Sequence, residues 1–149
     1  MTRATEMLEN NRRIVRLHDG LLKDICSENE LTMLEGTILR FLTNNPGIDT
    51  AAEIAELRQL SKGNVSTAVE KLIRKGLLER RQDPHDRRVM HLTVTAAAEP
   101  VVRAIRASEE VFRSELFDGF TDREIEVFQQ LNDRIFENTR KALGKREAS

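Results

Sequence analysis

The sequence predicts a mainly α protein with a small β-hairpin. Three capping signatures, Thr32-x-x-Glu35, Thr50-x-x-Glu53 and Thr121-x-x-Glu124, each stand directly ahead of an apolar-periodic run. Turn signals stand at Asn44-Asn45-Pro46-Gly47, Gly63, Gly76, Asp83-Pro84, Pro100 and Gly119, with long segments between them. Only Val89-Met90-His91-Leu92-Thr93-Val94 alternates with period two, and it follows a tight charged turn.

The elements follow in order. A long first helix is expected near 6–26, with Ile14, Leu17, Leu21 and Ile25 on one stripe. Helices near 32–44, 51–57 and 62–75 come next, the last with Ser61 as its N-cap. The short stretch 77–81, the turn Asp83-Pro84-His85-Asp86 and the alternating stretch 89–94 form the hairpin. Helices near 98–117 and 122–142 complete the chain, the second with Ile125, Phe128, Leu131 and Ile135 on one face. Pro100 fits poorly in a helix capped at Thr95, so that helix either starts late or has a loose first turn.

Bulk properties set the class. At 149 residues the chain fits one domain, and no repeat, low-complexity tract or linker divides it. Hydrophobic residues make up 39% and charged residues 33%, a globular and soluble balance. No apolar run approaches the roughly 20 residues of a membrane span. The first twenty residues mix acids and bases without an apolar core, unlike a signal peptide or an anchor. The single Cys26 cannot form an internal disulfide, so a reducing, cytoplasmic location is expected. No P-loop, G-x-S-x-G, H-E-x-x-H or dinucleotide fingerprint is present; neither an enzyme nor a cofactor is expected.

Charge distribution is more informative than the net charge of −1. Residues 58–91 hold nine bases and four acids, a net +5, between acidic flanks. This is the footprint of a module that binds a polyanion. Within it, residues 50–75 read as a short helix with Ala52, Ile54 and Ala55 inward, a tight connection ending at Leu60, and a second helix. At 100° per residue the second helix turns Val65, Ala68, Val69 and Leu72 to one side, with Ile73 at the edge. Gly63, Asn64, Thr67, Glu70, Lys71 and Arg74 fall opposite, flanked by Ser66 and preceded by Ser61 and Lys62. Such a small, donor-rich face suits a DNA major groove, and a side-chain-free Gly63 permits close backbone approach. Asn64 and Thr67 are the expected base contacts. An ordinary amphipathic helix with a solvated outer face would show the same pattern.

The hairpin tip adds His85, Asp86, Arg87 and Arg88. An arginine there suits a narrow minor groove, and Asp86 is placed to orient Arg88 through a charge-assisted bond. A solvated turn that guards a hairpin edge is the competing account.

The run Asp86-Arg-Arg88-Val-Met-His-Leu92-Thr-Val94-Thr95 is similar to the wing pattern D-x-R-x-x-x-L-x-L-T of the MarR family of bacterial regulators. Val94 stands where leucine is usual, and Ala98 where glycine often follows. Leu31-Thr32 and Gly76-Leu77-Leu78-x-Arg80 also resemble that family, while Glu35 replaces a common glutamine, a change read as capping chemistry. The resemblance spans nearly the whole chain. It implies a single domain over 1–149: a winged helix-turn-helix core of about 31–95, with dimerisation helices in about 1–30 and 96–149.

It further implies an obligate homodimer on double-stranded DNA, reading a pseudo-palindromic operator with half-sites about one helical turn apart. The dimerisation residues would be Ile14, Leu17, Leu21, Phe112, Leu116, Phe117, Phe128, Leu131 and Ile135. Met7, Leu8, Val111, Phe120 and Phe136 add apolar surface to the same segments. Many members are repressors released by a small anionic or aromatic effector bound between the dimerisation helices and the DNA domain. A winged-helix protein-interaction module, or a redox- or metal-gated regulator of the same fold, are the alternatives. Against them, Cys26 ends an apolar stripe in a chain without tyrosine and reads as a buried thiol. Asp83, His85, Asp86 and His91 are expected to be scattered by strand alternation, so no metal site is expected. His18 is assigned a packing or surface role.

Overall fold

The computed structural model describes residues 1–148, in two compact units, 1–112 and 113–149 without the final residue. The first holds α1 (Arg3–Glu28), α2 (Met33–Asn44), α3 (Ala51–Leu57), α4 (Lys62–Arg74), an antiparallel hairpin of β1 (Leu78–Gln82) and β2 (Met90–Val94), and most of α5 (Glu99–Leu116). The second contains the end of α5 and all of α6 (Asp122–Glu147).

Local chemistry sets these boundaries. Thr32, Thr50 and Thr121 each accept a hydrogen bond from the third helical amide, and the carboxylates of Glu35, Glu53 and Glu124 each accept one from the threonine N–H. All three capping boxes therefore form. Ser61 accepts from Asn64 N–H, and Thr2 starts α1 in the same way, three residues ahead of the expected start. The Pro100 conflict is resolved by a late start. Residues Ala96–Ala98 make a 3-10 turn, and α5 begins at Glu99, so Pro100 lies in a first turn whose amides need no helical partner. Thr95 does not cap with its side chain; its hydroxyl donates to Gly76 O at 2.6 Å and ties β2 to the end of α4.

Three helices end in the same way. After α4, Gly76 takes a left-handed conformation (φ 77°), Gly76 N–H donates to Ile73 O, and Leu77 N–H reaches back to Leu72 O. The same closure follows α1 at Glu30 (φ 55°) and α3 at Gln59 (φ 52°). At Gln59 this closure forms the turn of the helix-turn-helix, with a side chain where glycine costs less.

One core fills the first unit. Leu22, Ile38, Leu39, Ile54, Val65, Leu72, Leu78 and Ile105 are essentially inaccessible, and Cys26, Ala55, Ala68, Val69, Leu92 and Val101 join them. Each large member contributes about 1.5–3 kcal/mol. Ala52, expected inward, is exposed; in this seven-residue helix Ala51 packs against the core instead. Two charges are buried. Arg40 donates to Asp19 Oδ1 (2.8 Å) and His18 O (3.2 Å), and Glu35 pairs with Lys75 Nζ at 3.0 Å. Burial opposes the charge on Glu35, yet the Thr32 amide and the Lys75 ammonium outweigh it and hold the carboxyl below its usual range.

No residue of α6 is buried, and Phe128, Leu131, Ile135, Phe136 and Leu143 are exposed along it. Phe117 packs edge-on against Phe120 and Phe128. No helix among the described residues is long and apolar enough to cross a membrane.

Candidate nucleic-acid interface

The helix-turn-helix is α3, the Arg58–Ser61 turn and α4. The inner side of α4 is Val65, Ala68, Val69 and Leu72, all buried against α2 and α3. That packing fixes the outer side. Ser61, Lys62, Gly63, Asn64, Ser66, Thr67, Lys71 and Arg74 are all exposed. Thr67 donates its hydroxyl proton to Gly63 O at 3.0 Å, so its free lone pairs face outward as acceptors. The Asn64 side-chain carboxamide makes no hydrogen bond among the described residues and presents both a donor and an acceptor. A Cβ built on Gly63 would meet only Ser61 Oγ, at 3.8 Å. Internal packing does not require glycine there, although it weakens the helix by about 1 kcal/mol relative to alanine.

The wing is built from three short-range devices. Asp83 Oδ2 accepts from the amides of His85 (2.8 Å) and Asp86 (2.9 Å), closing the turn, and Asp83 N–H donates to Val89 O. Asp86 Oδ1 accepts from Arg88 N–H at 3.0 Å, and both carboxylate oxygens take the guanidinium, Oδ1 from Nε at 3.2 Å and Oδ2 from the terminal nitrogen at 3.3 Å. Arg88 is thus orientated as expected while its side chain stays 90% exposed. The pairing holds the Asp86 carboxyl below its usual range. Gln82 donates to Arg87 O, leaving the Arg87 side chain at the tip.

Two couplings were hidden in the sequence. Glu70, on the outer side of α4, accepts a two-pronged bond from Arg80 of β1, so α4 and the wing are tied together. His91 is not scattered from Asp83. Its Nε2 lies 2.7 Å from Asp83 Oδ1, and its Nδ1 lies 2.6 Å from Asp49 Oδ1 in the loop before α3. Strand alternation fails here because Asp83 lies one residue past β1, where the period no longer governs direction. The Asp83-Pro84 turn signal could have located Asp83; nothing local pointed to Asp49. Among the described residues no group of three or more His, Cys, Asp or Glu has the placement of a metal site.

These pairings sort the charges. Of the four acids in residues 58–91, Glu70, Asp83 and Asp86 are engaged by Arg80, His91 and Arg88. Arg58, Lys62, Lys71, Arg74, Arg81 and Arg87 have no ion pair among the described residues. The surface shared by α4 and the wing therefore presents cations and neutral donors almost alone.

Elsewhere, Cys26 is buried and free, and burial pushes its thiol above the ordinary range. Its sulfur lies against α2 at Gly36, where a Cβ would come within 2.3 Å. His18 packs on Phe112 (centroids 4.7 Å) and meets Glu109 Oε1 at 2.7 Å, a packing role. Of the residues expected at a dimer interface, Ile14, Leu17, Leu21, Phe112, Leu116 and Phe117 are half-buried, whereas Phe128, Leu131 and Ile135 are exposed.

A hairpin wing beside a helix-turn-helix, with long helices before and after, defines a winged helix-turn-helix regulator. A MarR family model matches residues 30–89. Transcriptional regulator ZitR of Lactococcus lactis subsp. cremoris is 32% identical over 126 residues, spanning 83% of this chain and 86% of ZitR. A MarR protein from Peptoclostridium difficile superposes with a TM-score of 0.73 at 26% identity, covering 91% of this chain and 88% of its own. A MarR family regulator from Listeria monocytogenes, solved in complex with a 26mer DNA, shares the fold with a TM-score of 0.74 at 21% identity, over 88% and 87% of the two chains. The chain belongs to the MarR family of transcriptional regulators.

Proposed function

We propose that this regulator binds a pseudo-palindromic double-stranded operator in the cytoplasm as a homodimer, acts as a repressor and performs no chemistry. In this reading α4 enters the major groove. Asn64 and Thr67 read base edges, Ser61, Lys62, Gly63, Ser66, Lys71 and Arg74 engage phosphates or flank them, and His85, Arg87 and Arg88 follow the minor groove with Asp86 in support. One observation carries it: on α4 and the wing Glu70, Asp83 and Asp86 are paired, leaving Glu79 as the one acid of 58–91 without an ion pair among the described residues, while Lys62, Lys71, Arg74, Arg81 and Arg87 also have none. The Listeria relative's 26mer complex supports the same assignment.

Dimerisation is supported by the apolar faces of the terminal helices. A surface with Phe128, Leu131, Ile135, Phe136 and Leu143 exposed on one helix is costly to leave in water, and a second copy would cover it. A small-molecule effector is supported by a cleft of about 380 Å³ between α2, β2 and α5, lined by Leu42, Leu92, Val94 and Val102 with Asp49, Glu99 and Arg106 as its charged groups.

The test is fluorescence anisotropy with duplexes from the gene's own upstream region. The wild type should bind one of them in the nanomolar range, with affinity falling steeply as salt rises. Arg88→Ala should weaken binding by about 10-fold or more with an unchanged unfolding curve, because the side chain supports no core. An Arg88→Ala protein that binds as the wild type does, or a wild type that sediments as a monomer, would overturn the reading.

A further inference from the structure

The Asp49–His91–Asp83 bridge contains none of the residues assigned to DNA above, yet it joins the wing turn to the body of the subunit. Asp49 lies in the loop that leads into α3, and its carbonyl also accepts from Leu92 N–H at 2.8 Å. His91 is on β2. Asp83 closes the wing turn through the amides of His85 and Asp86, and Asp86 in turn holds Arg88. A continuous polar chain therefore runs from the helix-turn-helix to the wing arginine.

Both ring nitrogens of His91 face a carboxylate oxygen, at 2.6 and 2.7 Å. A neutral imidazole carries one N–H and can donate to only one of them; the imidazolium donates to both. We propose that the Asp49–His91–Asp83 bridge is a proton-operated latch, closed when His91 is charged and opened by its deprotonation, which sets how firmly the wing is held for DNA binding. This rests on the DNA-binding reading above.

The surroundings agree. Asp49, the first cause, and Asp83 raise the His91 pKa above its ordinary 6.5, and partial burial opposes them less strongly. Reciprocally, Asp83 is held below its usual range, chiefly by His91. Other charges nearby are Glu53 of α3 and Arg88 of the wing, which line the same recess, and Arg81, the cross-strand partner of His91 on β1. Because the folded-state value is raised, the latch is fully closed below pH 6.5. It is lost as pH rises through that raised value. DNA affinity should fall in the same window, as pH rises through the raised His91 value.

Two measurements on the full-length protein separate the latch from the function it serves. The first is an NMR titration of the histidine rings without DNA, with the His91 signal assigned by His91→Gln. The His91 midpoint should lie above 6.5 and should drop in Asp49→Asn. The amides of His85 and Asp86 should exchange faster once His91 is neutral. An ordinary midpoint, or amide exchange indifferent to it, overturns the latch. The second is operator affinity from about pH 6 to about pH 9. The wild type should lose about fivefold or more as pH rises, and DNA binding should take up as much as about one proton per subunit, whereas His91→Gln should be weaker at low pH and nearly flat. Parallel profiles for the two proteins overturn the proposal. If no duplex binds at any pH, the DNA reading itself falls. Ring titration and amide exchange then decide the latch alone.

Discussion

Gly36→Ala is a sharp test of how α1 and α2 pack. The new methyl would stand 2.3 Å from Cys26 Sγ and 3.3 Å from Leu22 Cδ1. Ordinary contacts of this kind lie near 3.5–4.0 Å, so the sulfur must move by more than about 1 Å. It has little room, since Cys26 is 3% exposed and its thiol faces Thr32 O at 3.5 Å. A contact this close falls in the upper part of the overpacking range, about 2–3 kcal/mol, and the better helix propensity of alanine returns about 1 kcal/mol. Gly36→Ala should therefore lose about 1–2 kcal/mol, seen as a lower urea midpoint by far-UV circular dichroism at fixed protein concentration. Cys26→Ala alone opens a sulfur-sized void and should lose about 1–2 kcal/mol. In the double variant the methyl added at position 36 occupies the space the sulfur left. The double variant's loss should fall below the sum of the single losses by about 1 kcal/mol or more. Strictly additive losses, or a Gly36→Ala protein as stable as the wild type, would refute this account of the α1–α2 contact.

Three further outcomes follow from features of the same unit. Glu35→Gln keeps an acceptor for the Thr32 amide but loses the Lys75 ion pair. Because the Glu35 carboxyl is held below its usual 4.5, its contribution is present above that pH and is lost as pH falls through the lowered value. The wild-type urea midpoint should therefore drop on acidification to about pH 3, and that of Glu35→Gln should drop less. Gln59→Gly removes a side chain from a left-handed residue and should raise thermal stability by about 0.5–1 kcal/mol, read by calorimetry; a loss would mean the side chain supports the turn. Asn64→Ala should reduce discrimination at one base pair per half-site by about 1–3 kcal/mol in competition binding while leaving non-specific affinity nearly unchanged. Equal loss on all duplexes would instead place Asn64 on the phosphates.

The parts legible from sequence were those written in adjacent residues. Threonine–glutamate spacing located three helix starts to the residue, since a capping box needs only four consecutive positions. The phase of α4 was legible because thirteen residues give several turns for the apolar pattern to repeat. The seven residues of α3 give barely two, and Ala51 and Ala52 could not be told apart. The turn closures at Glu30 and Gln59 left no mark, as neither residue advertises a left-handed conformation. Long-range polar contacts were equally silent. Arg40 meets Asp19 across 21 positions and His91 meets Asp49 across 42, and only packing brings them together. Asp86 and Arg88, two positions apart, can be paired from the sequence alone.

The ammonium of Lys75, at the last turn of α4, grips Glu30 O at 3.0 Å and the Glu35 carboxylate at once. This fastens the far end of the reading helix to the α1–α2 corner, while Arg80 fastens its middle to the wing. A helix pinned at two points has no swivel of its own. Any change in its attitude must carry the α1–α2 corner and the wing along with it.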